Sequence, residues 1–265
     1  MPSREHIEPV GGFRRLSYTC RAGWIDWVHA GTMAMPLRRA IVDGTTSSGV
    51  NVTLDGKPAR FVEYRMEQGG RLVGLFSRAT NHYVVRTDIT APAKEAAALG
   101  VFLHTSHAFE RLQGSFPWAQ ISRRSRDSSY SGEDLISNVV GFFAVMRGYT
   151  QDRMRDLLDE QSVEECYRIW DAQFGRNGSF HPRNTTVQPV YFEGASCRDT
   201  SLPSMLTSTA PAEMGTSWVA LRQPLNPAYV GTREPIDVAL DGTLRHVPMG
   251  GLLRQGLQHQ NWSTW

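Results

Sequence analysis

The sequence lacks a long apolar run, an excess of one charge and any cluster of cysteines. No stretch approaches the roughly 18 apolar residues of a membrane span, so we expect no transmembrane helix. The net charge is +2 in 265 residues, which argues against nucleic acid as the main partner. The basic cluster Arg123, Arg124 and Arg126 lies in a serine-rich stretch typical of a solvated loop. With 40% hydrophobic and 20% charged residues, the composition is that of a soluble globular protein.

The three cysteines, Cys20, Cys166 and Cys197, lie far apart in the chain. An odd number without short spacing predicts neither a disulfide framework nor a zinc ribbon. One disulfide with one free thiol is left open by the sequence.

The first residues, MPSREHIEPVGGF, contain no apolar segment of the kind found in a secretory leader. We therefore expect the protein to be cytoplasmic at synthesis. Export to the periplasm or to a target cell would then follow a leaderless route.

Apolar periodicity and capping signals predict four helical stretches. The first covers residues 20–43, with interruptions near Gly31 and at Pro36. The other three are predicted at 91–113, 131–148 and 150–174. Ser131 with Asp134 resembles a capping box at the start of the third stretch.

Residues 50–88 change to a strand-like period, with turn signals at Asp55-Gly56 and Gly69-Gly70. Beyond residue 180 the chain is proline-rich, with strand-like runs at VQPVYFEG, TSWVALRQP and IDVALDG. Proline makes this region a poor source of an inner strand. The sequence predicts an α+β fold: a helical core with a small antiparallel sheet (1–180) and a proline-rich strand and loop extension (181–265), forming one continuous domain.

The first polar block is YTCRAGWIDWVHA, residues 18–30. If it is helical, Asp26 and His29 lie one turn apart on one face, and Cys20 lies on the opposite side. Asp26 and His29 could then share a metal, or the carboxylate could orient the imidazole for acid–base work. A surface Asp–His pair on a capped helix is the structural alternative.

The second block is the helix segment around FERLQ, where Glu110 and Gln113 share one side. Glu110 is a candidate metal ligand or general acid, and Gln113 a candidate substrate-binding residue. The alternative is an ordinary amphipathic helix with its polar side in water.

The third block, SYSGEDLISNVVGFF, is the most informative of the three. After Asn138 the helix is apolar all round, which predicts burial, yet Asp134 and Asn138 lie one turn apart at its start. Glu133 and Ser137 lie beside them. Because polar groups that enter a buried helix need partners, this segment favours a functional site over a simple cap.

Taken together, these three blocks resemble an uncharacterised bacterial domain family. Its blocks read Thr-Cys-Arg-Gly-Gly-Phe-Ile-Asp-x-x-His, Phe-Glu-x-x-Gln and Phe-Ser-x-Glu-Asp-Leu-x-Ser-Asn, in this order. The resemblance covers residues 18–148, with Tyr130 in place of the family's phenylalanine and Ala22 or Gly23 at the second glycine of the first block. The positions carried over are Cys20, Asp26, His29, Glu110, Gln113, Glu133, Asp134, Ser137 and Asn138. The resemblance implies an envelope protein and brings no activity with it.

The leading hypothesis from the sequence is a hydrolase of the bacterial envelope, a peptidoglycan amidase or peptidase. Asp26 and His29 would join Glu110 or Asp134 around a divalent metal, with zinc favoured by the imidazole ligand. His104 or His107 would have to complete that site. A delivery or immunity partner is expected if the protein acts as a secreted effector.

Three alternatives stay open. Glu110 and Asp134 could act as acid and base on a glycosidic bond, as in lysozyme-like enzymes. Cys20 could act as the nucleophile of a papain-like peptidase, with His82 or His29 as base. The chain could also be a non-catalytic module that binds the envelope, its buried polar groups forming a structural network.

Overall fold

The computed structural model describes residues 2–46, 48–69, 76–113, 131–178, 184–225 and 234–246, and the side chains of these residues except 67–69, 76–78 and 113. The strands are β1 (Leu16–Thr19), β2 (Gly23–Asp26), β3 (Asn51–Leu54), β4 (Lys57–Gly69), β5 (Phe76–Arg86), β6 (Trp218–Ala220), β7 (Ile236–Val238) and β8 (Leu244–His246). The helices are α1 (Met35–Leu37), α2 (Ala91–Gln113), α3 (Asp134–Arg147), α4 (Gln151–Leu158), α5 (Val163–Phe174) and α6 (Ser204–Thr207). The predicted α+β class is confirmed.

The chain divides into two compact units. The first comprises Met1–Met35, Met66–Arg78 and Ser106–Thr209, and the second Pro36–Arg65, Ala79–Thr105 and Ala210–Trp265. The predicted division at residue 180 stays a prediction. The nine residues taken as candidates for a site all belong to the first unit.

The first polar block forms a hairpin, so the prediction of a helix from residue 20 is wrong there. Strands β1 and β2 pair antiparallel, with Leu16 opposite Asp26 and Thr19 opposite Gly23. Every residue of both strands is buried. A strand buried on both faces has no alternation of polar and apolar residues, so it cannot be told from a buried helix by periodicity. Gly23 has φ 68, which glycine adopts without steric cost at the start of β2.

Within the stretch predicted to be helical at 20–43, helical turns begin at Thr32. A 3₁₀ turn covers Thr32–Ala34, α1 follows at Met35–Leu37, and a π turn covers Arg38–Val42. Helical structure is therefore confirmed for residues 32–42 of the predicted stretch, as a series of short turns.

The larger sheet has six strands in the order β6-β5-β4-β3-β7-β8. The predicted turn between β3 and β4 is confirmed, with positive φ at both Asp55 and Gly56, as expected for a type I′ turn. The predicted turn at Gly69-Gly70 reaches outside the described residues.

Strand β7 pairs parallel with β3 and antiparallel with β8. It therefore lies inside the sheet, and the expectation that the proline-rich region supplies no inner strand is wrong. The three residues Ile236–Val238 contain no proline and therefore lose no ladder hydrogen bond. No strand forms at 187–194, where one was predicted.

The remaining helices follow the predicted boundaries closely. Helix α2 covers the predicted range, and α3 begins at Asp134. The stretch predicted at 150–174 is divided into α4 and α5, because Asp159 takes a left-handed conformation with φ 57. Thr150 caps α4 as predicted, by accepting a hydrogen bond from the N–H of Arg153. No helix of the described residues is both long and apolar enough to cross a membrane.

An aromatic core packs the hairpin against α5 in the first unit. Trp24 meets Tyr18 and Trp170 edge-to-face, with ring centroids 5.4 and 5.5 Å apart. The fully buried members of this core are Ile7, Leu16, Tyr18, Trp24, Cys166, Ile169 and Trp170. Such aromatic packing stabilises the folded state through both the buried area and the geometry of the rings.

A disulfide joins Cys20 at the turn of the hairpin to Cys197, and Cys166 is a buried free thiol. This is the arrangement of one bridge and one free thiol that the sequence left open. Burial raises the pKa of Cys166 to about 11, so its thiol stays protonated at neutral pH.

Candidate functional site

A group of buried polar side chains surrounds the end of the hairpin and the first turn of α3. All eight are at most 9% exposed: Asp26, His29, Glu110, Ser131, Glu133, Asp134, Ser137 and Asn138. Four of them carry carboxyl groups. Charged side chains are rarely buried unless they are paired or functional, so each needs its own account.

Asp26 is the last residue of β2, and both of its carboxylate oxygens are engaged. Oδ2 accepts hydrogen bonds from Nη2 and Nε of Arg15, at 2.8 and 3.0 Å, and Oδ1 accepts one from the N–H of Val28 at 2.9 Å. Burial raises the pKa of Asp26, but the charges of His29 and Arg15 outweigh it, and the pKa is lowered overall. Asp26 is therefore ionised at neutral pH.

The sequence patterns did not identify Arg15 as a member of this cluster. It lies next to another arginine in a run that looks like ordinary surface, and nothing in its spacing relates it to Asp26. The usable signal was indirect: a buried aspartate requires a cation, and Arg15 lies opposite Trp27, just beyond the ladder pair of Leu16 with Asp26.

Ser137 links the hairpin to α3. The N–H of Asp26 donates to Oγ of Ser137 at 2.9 Å, and that hydroxyl donates to the carbonyl oxygen of Glu133 at 2.6 Å. The single hydroxyl proton is used and the oxygen already accepts a bond. Ser137 thus positions the hairpin against α3, and its assignment as a substrate-binding residue stays a prediction.

The start of α3 differs in detail from the predicted capping box. Oδ2 of Asp134 accepts a hydrogen bond from the N–H of Ser131 at 2.9 Å, which is the expected return bond of the motif. The hydroxyl of Ser131 does not cap the helix, because it donates to Oε2 of Glu133 at 2.6 Å. The carboxyl group of Asp134 thus keeps one oxygen for other contacts.

That second oxygen faces His29. Oδ1 of Asp134 lies 3.6 Å from Nδ1 of His29. Burial raises the pKa of Asp134 well above its usual range, and the charges of Glu110 and Asp26 raise it further. His29, 9% exposed, is the most exposed of the eight residues, so it lies nearest to water.

Glu133 is fully buried. Burial raises its pKa well above the usual range, and the charge of Asp134 adds to this effect. Two side-chain oxygens in the described part of the cluster, Oε1 of Glu133 and Oδ1 of Asn138, have no hydrogen-bond partner. Gln113, the remaining candidate, has a side chain outside the described set.

The environments of these carboxyl groups shift their pKa values in opposite directions. Arg15 and His29 lower the pKa of Asp26, while burial and neighbouring carboxyl groups raise the pKa values of Asp134 and Glu133. Oppositely shifted carboxyl groups beside one imidazole are the usual arrangement for acid–base chemistry. Such an arrangement is chemically suited to general acid–base catalysis.

The residues fit a metal poorly. Within the described ranges, no group of three or more histidine, cysteine, aspartate or glutamate side chains could hold a metal ion. Both oxygens of Asp26 are already engaged, one by Arg15 and the other by the N–H of Val28. His104, expected to help, lies 2.8 Å from the hydroxyl of Tyr83. The zinc site stays a prediction without support from this geometry.

The cysteine alternative is corrected by the disulfide. Sγ of Cys20 is bonded to Cys197, so it carries no thiolate to act as nucleophile. His82, proposed as its base, lies 3.3 Å from Glu63 in the larger sheet.

No protein-family model, no curated protein and no solved structure matches this chain. The resemblance to an envelope-associated family therefore stays a prediction, and the function has to be argued from the geometry of the buried cluster.

Proposed function

We propose that the protein is a hydrolase that works by acid–base catalysis, with His29 and Asp134 as its proton-transferring pair. The observation that carries this proposal is the opposite shift of two carboxyl groups around one imidazole: the pKa of Asp26 is lowered and that of Asp134 is raised. Strongly shifted pKa values around a potential acid–base residue are typical of functional sites.

In this mechanism His29 takes a proton from the attacking water, since it is the member of the pair nearest to solvent. The water oxygen bonds to the substrate carbonyl carbon, the C–N bond breaks, and the imidazolium returns the proton to the leaving nitrogen. Asp134 shares the proton with His29 while it is held, and the ionised Asp26 stabilises the imidazolium. Ser137 keeps the strand carrying Asp26 in register with α3.

The proposed substrate is a polymer of the bacterial envelope, and cleavage of a peptidoglycan amide is the reaction we favour. Two observations support this substrate class. The three polar blocks resemble a family of envelope proteins, and the Cys20–Cys197 disulfide is of the kind that persists in oxidising compartments such as the periplasm. A protein delivered to a target cell would also need an immunity partner.

A second candidate function is glycoside hydrolysis by Glu110 and Asp134. It is favoured by one observation: the charge of Glu110 is the largest neighbouring charge that raises the pKa of Asp134. A carboxyl group kept protonated beside a second carboxylate is the arrangement of a general acid and its partner in such enzymes.

The experiment is mass spectrometry of the products released when the purified protein is incubated with peptidoglycan sacculi, with and without a chelator. Free stem peptides would identify an amidase, shortened stems a peptidase, and disaccharide units the glycosidase. Release that survives the chelator supports the carboxyl–imidazole mechanism, while release abolished by it would restore the metal hypothesis.

Matched variants separate chemistry from folding. We expect His29→Ala and Asp134→Asn to lower the rate of release by at least about 100-fold, since general acid–base groups contribute about 10² to 10⁴. His246→Ala and Asp156→Asn, at exposed positions, should leave the rate unchanged. No release by the folded wild-type protein would overturn the proposal and favour a non-catalytic envelope-binding module.

A further inference from the structure

The buried cluster contains more hydrogen-bond acceptors than donors. Its four carboxyl groups belong to Asp26, Glu110, Glu133 and Asp134. Arg15 pairs with Asp26, and the imidazole of His29 lies beside Asp134. The largest neighbouring charges that act on Asp134 are those of Glu110 and Asp26, and the largest that acts on Glu133 is that of Asp134.

Asn138 supplies a second, independent observation that points to a ligand site. Its side chain is 3% exposed, and its Oδ1 has no hydrogen-bond partner. Asn138 lies four residues after Asp134 in α3, which places both side chains on the same helix face. Buried side-chain oxygens are normally satisfied, so an orphaned acceptor beside a carboxyl group marks the place of an absent donor.

Glu133 repeats this observation at the first turn of α3. Its Oε2 accepts a bond from Ser131, but its Oε1, equally buried, has no partner in the described structure. A ligand group with several donors could serve these acceptors.

We propose that this site binds a primary ammonium group of the substrate, such as that of a lysine-like diamino side chain. The inference rests on the proposed hydrolase function, whose substrate class it narrows. An ammonium group offers three donors and no acceptor, and it is compact enough to serve acceptors that do not lie in one plane. A guanidinium group presents its donors in a flat fork and suits this arrangement less well.

Electrostatics supports the same ligand. The burial that raises the pKa of Glu133 and Asp134 reflects the cost of holding negative charge without a cation. An ammonium group would lower that cost, because opposite charges in a buried site attract more strongly than in water.

The test measures binding without turnover. The full-length protein is titrated with Nα-acetyl-lysine methylamide, with its Nε-acetylated derivative and with the corresponding arginine compound, using calorimetry or NMR. We expect the lysine probe to bind at least about tenfold more tightly than the acetylated probe, as for the loss of a charge-assisted hydrogen bond. The arginine probe should fall between them. Equal binding of all three probes, or binding of none, would overturn the inference.

Two variants of one residue keep the test specific. Asn138→Leu removes the acceptor and should weaken binding of the lysine probe about tenfold, whereas Asn138→Asp keeps an acceptor oxygen and should retain binding. Asn177→Leu, at an exposed position in the same unit, should change nothing. Thermal melts confirm that each variant is folded, and unchanged binding by folded Asn138→Leu would count against the site.

Failure of this inference is distinguishable from failure of the proposed function. Sacculi are compared before and after chemical acetylation of their free amines. Equal release of products from both would keep the hydrolase and reject ammonium recognition. Selective binding of the lysine probe without release of any product would keep the site and reject the hydrolysis.

Discussion

Trp24 and Asp26 lie two residues apart in the same strand, and both are 0% exposed. Trp24 enters the aromatic core with Tyr18 and Trp170, while Asp26 enters the polar cluster beside α3. The aromatic core is held by non-directional burial and ring packing. The polar cluster depends on particular partners at hydrogen-bond distance. Two equally buried residues therefore stabilise the fold in different ways. The contribution of Trp24 depends on side-chain volume, and that of Asp26 depends on its hydrogen-bond partners.

The largest expected loss follows removal of Trp170 from the aromatic core. Trp170→Ala should lower the free energy of unfolding by about 3–5 kcal/mol, because a fully buried aromatic side chain leaves a cavity. Chemical denaturation measures the change, and Trp170→Phe should cost markedly less because most of the volume is kept. A loss below about 1 kcal/mol for the alanine variant would show that this core does not hold the hairpin.

The next largest effect tests the pairing of Asp26. Arg15→Met should cost about 2–3 kcal/mol, somewhat less than for a fully buried ion pair, because the Arg15 side chain is 29% exposed. The double variant with Asp26→Asn should recover most of that loss, since no buried charge is then left unpaired. A double-mutant cycle measures the coupling. If the two losses simply add, the pair does not explain the burial of Asp26.

A smaller effect is expected at the hydroxyl that joins hairpin and helix. Ser137→Ala leaves the buried N–H of Asp26 without its acceptor and should cost about 1–2 kcal/mol. Ser208→Ala, at an exposed hydroxyl, should change stability by less than about 0.5 kcal/mol. A Ser137→Ala protein as stable as the wild type would remove the positioning role.

A slope of stability with pH is expected from the raised pKa values of the cluster. The pKa values of Glu133 and Asp134 are raised from ordinary values of 4.5 and 3.8, so the folded state binds more protons than the unfolded state above that range. Stability is then greatest below the unfolded pKa and falls as pH rises toward the folded pKa, by at most about 1.4 kcal/mol per pH unit for each group. Asp26, whose pKa is lowered, acts oppositely and loses its contribution as pH falls through that pKa.

Denaturation between pH 5 and 8 measures this slope. Glu133→Gln and Asp134→Asn should flatten it, because an amide does not titrate. A wild-type profile that rises across this interval would contradict the raised pKa values.

Much of the secondary structure could be predicted from local signals. Helix α2, the Asp55-Gly56 turn and the cap at Thr150 follow from capping and turn chemistry within a few residues. The polar start of α3 was also informative, because Asp134 and Asn138 interrupt an otherwise apolar helix that the structure buries.

The hairpin and the partners of the cluster could not be predicted in this way. Strands β1 and β2 are buried on both faces, so the alternation that identifies a strand is absent. The pairing of β7 with β3 joins Ile236 to Val52, far apart in the chain, and no local pattern encodes such a register. Arg15 pairs with Asp26 because the hairpin brings the two residues together, so this ion pair could be recognised only from the fold.

The Cys20–Cys197 bond makes most of the chain a covalent ring. The two cysteines are separated by 177 positions, and the segments Pro36–Arg65 and Ala79–Thr105 of the second unit lie in the chain between them. A protease that cuts this ring once therefore releases no fragment, and the products separate on a gel only after reduction. The first and last segments of the first unit, which carry Asp26 and Asp134, would stay joined after such a cut.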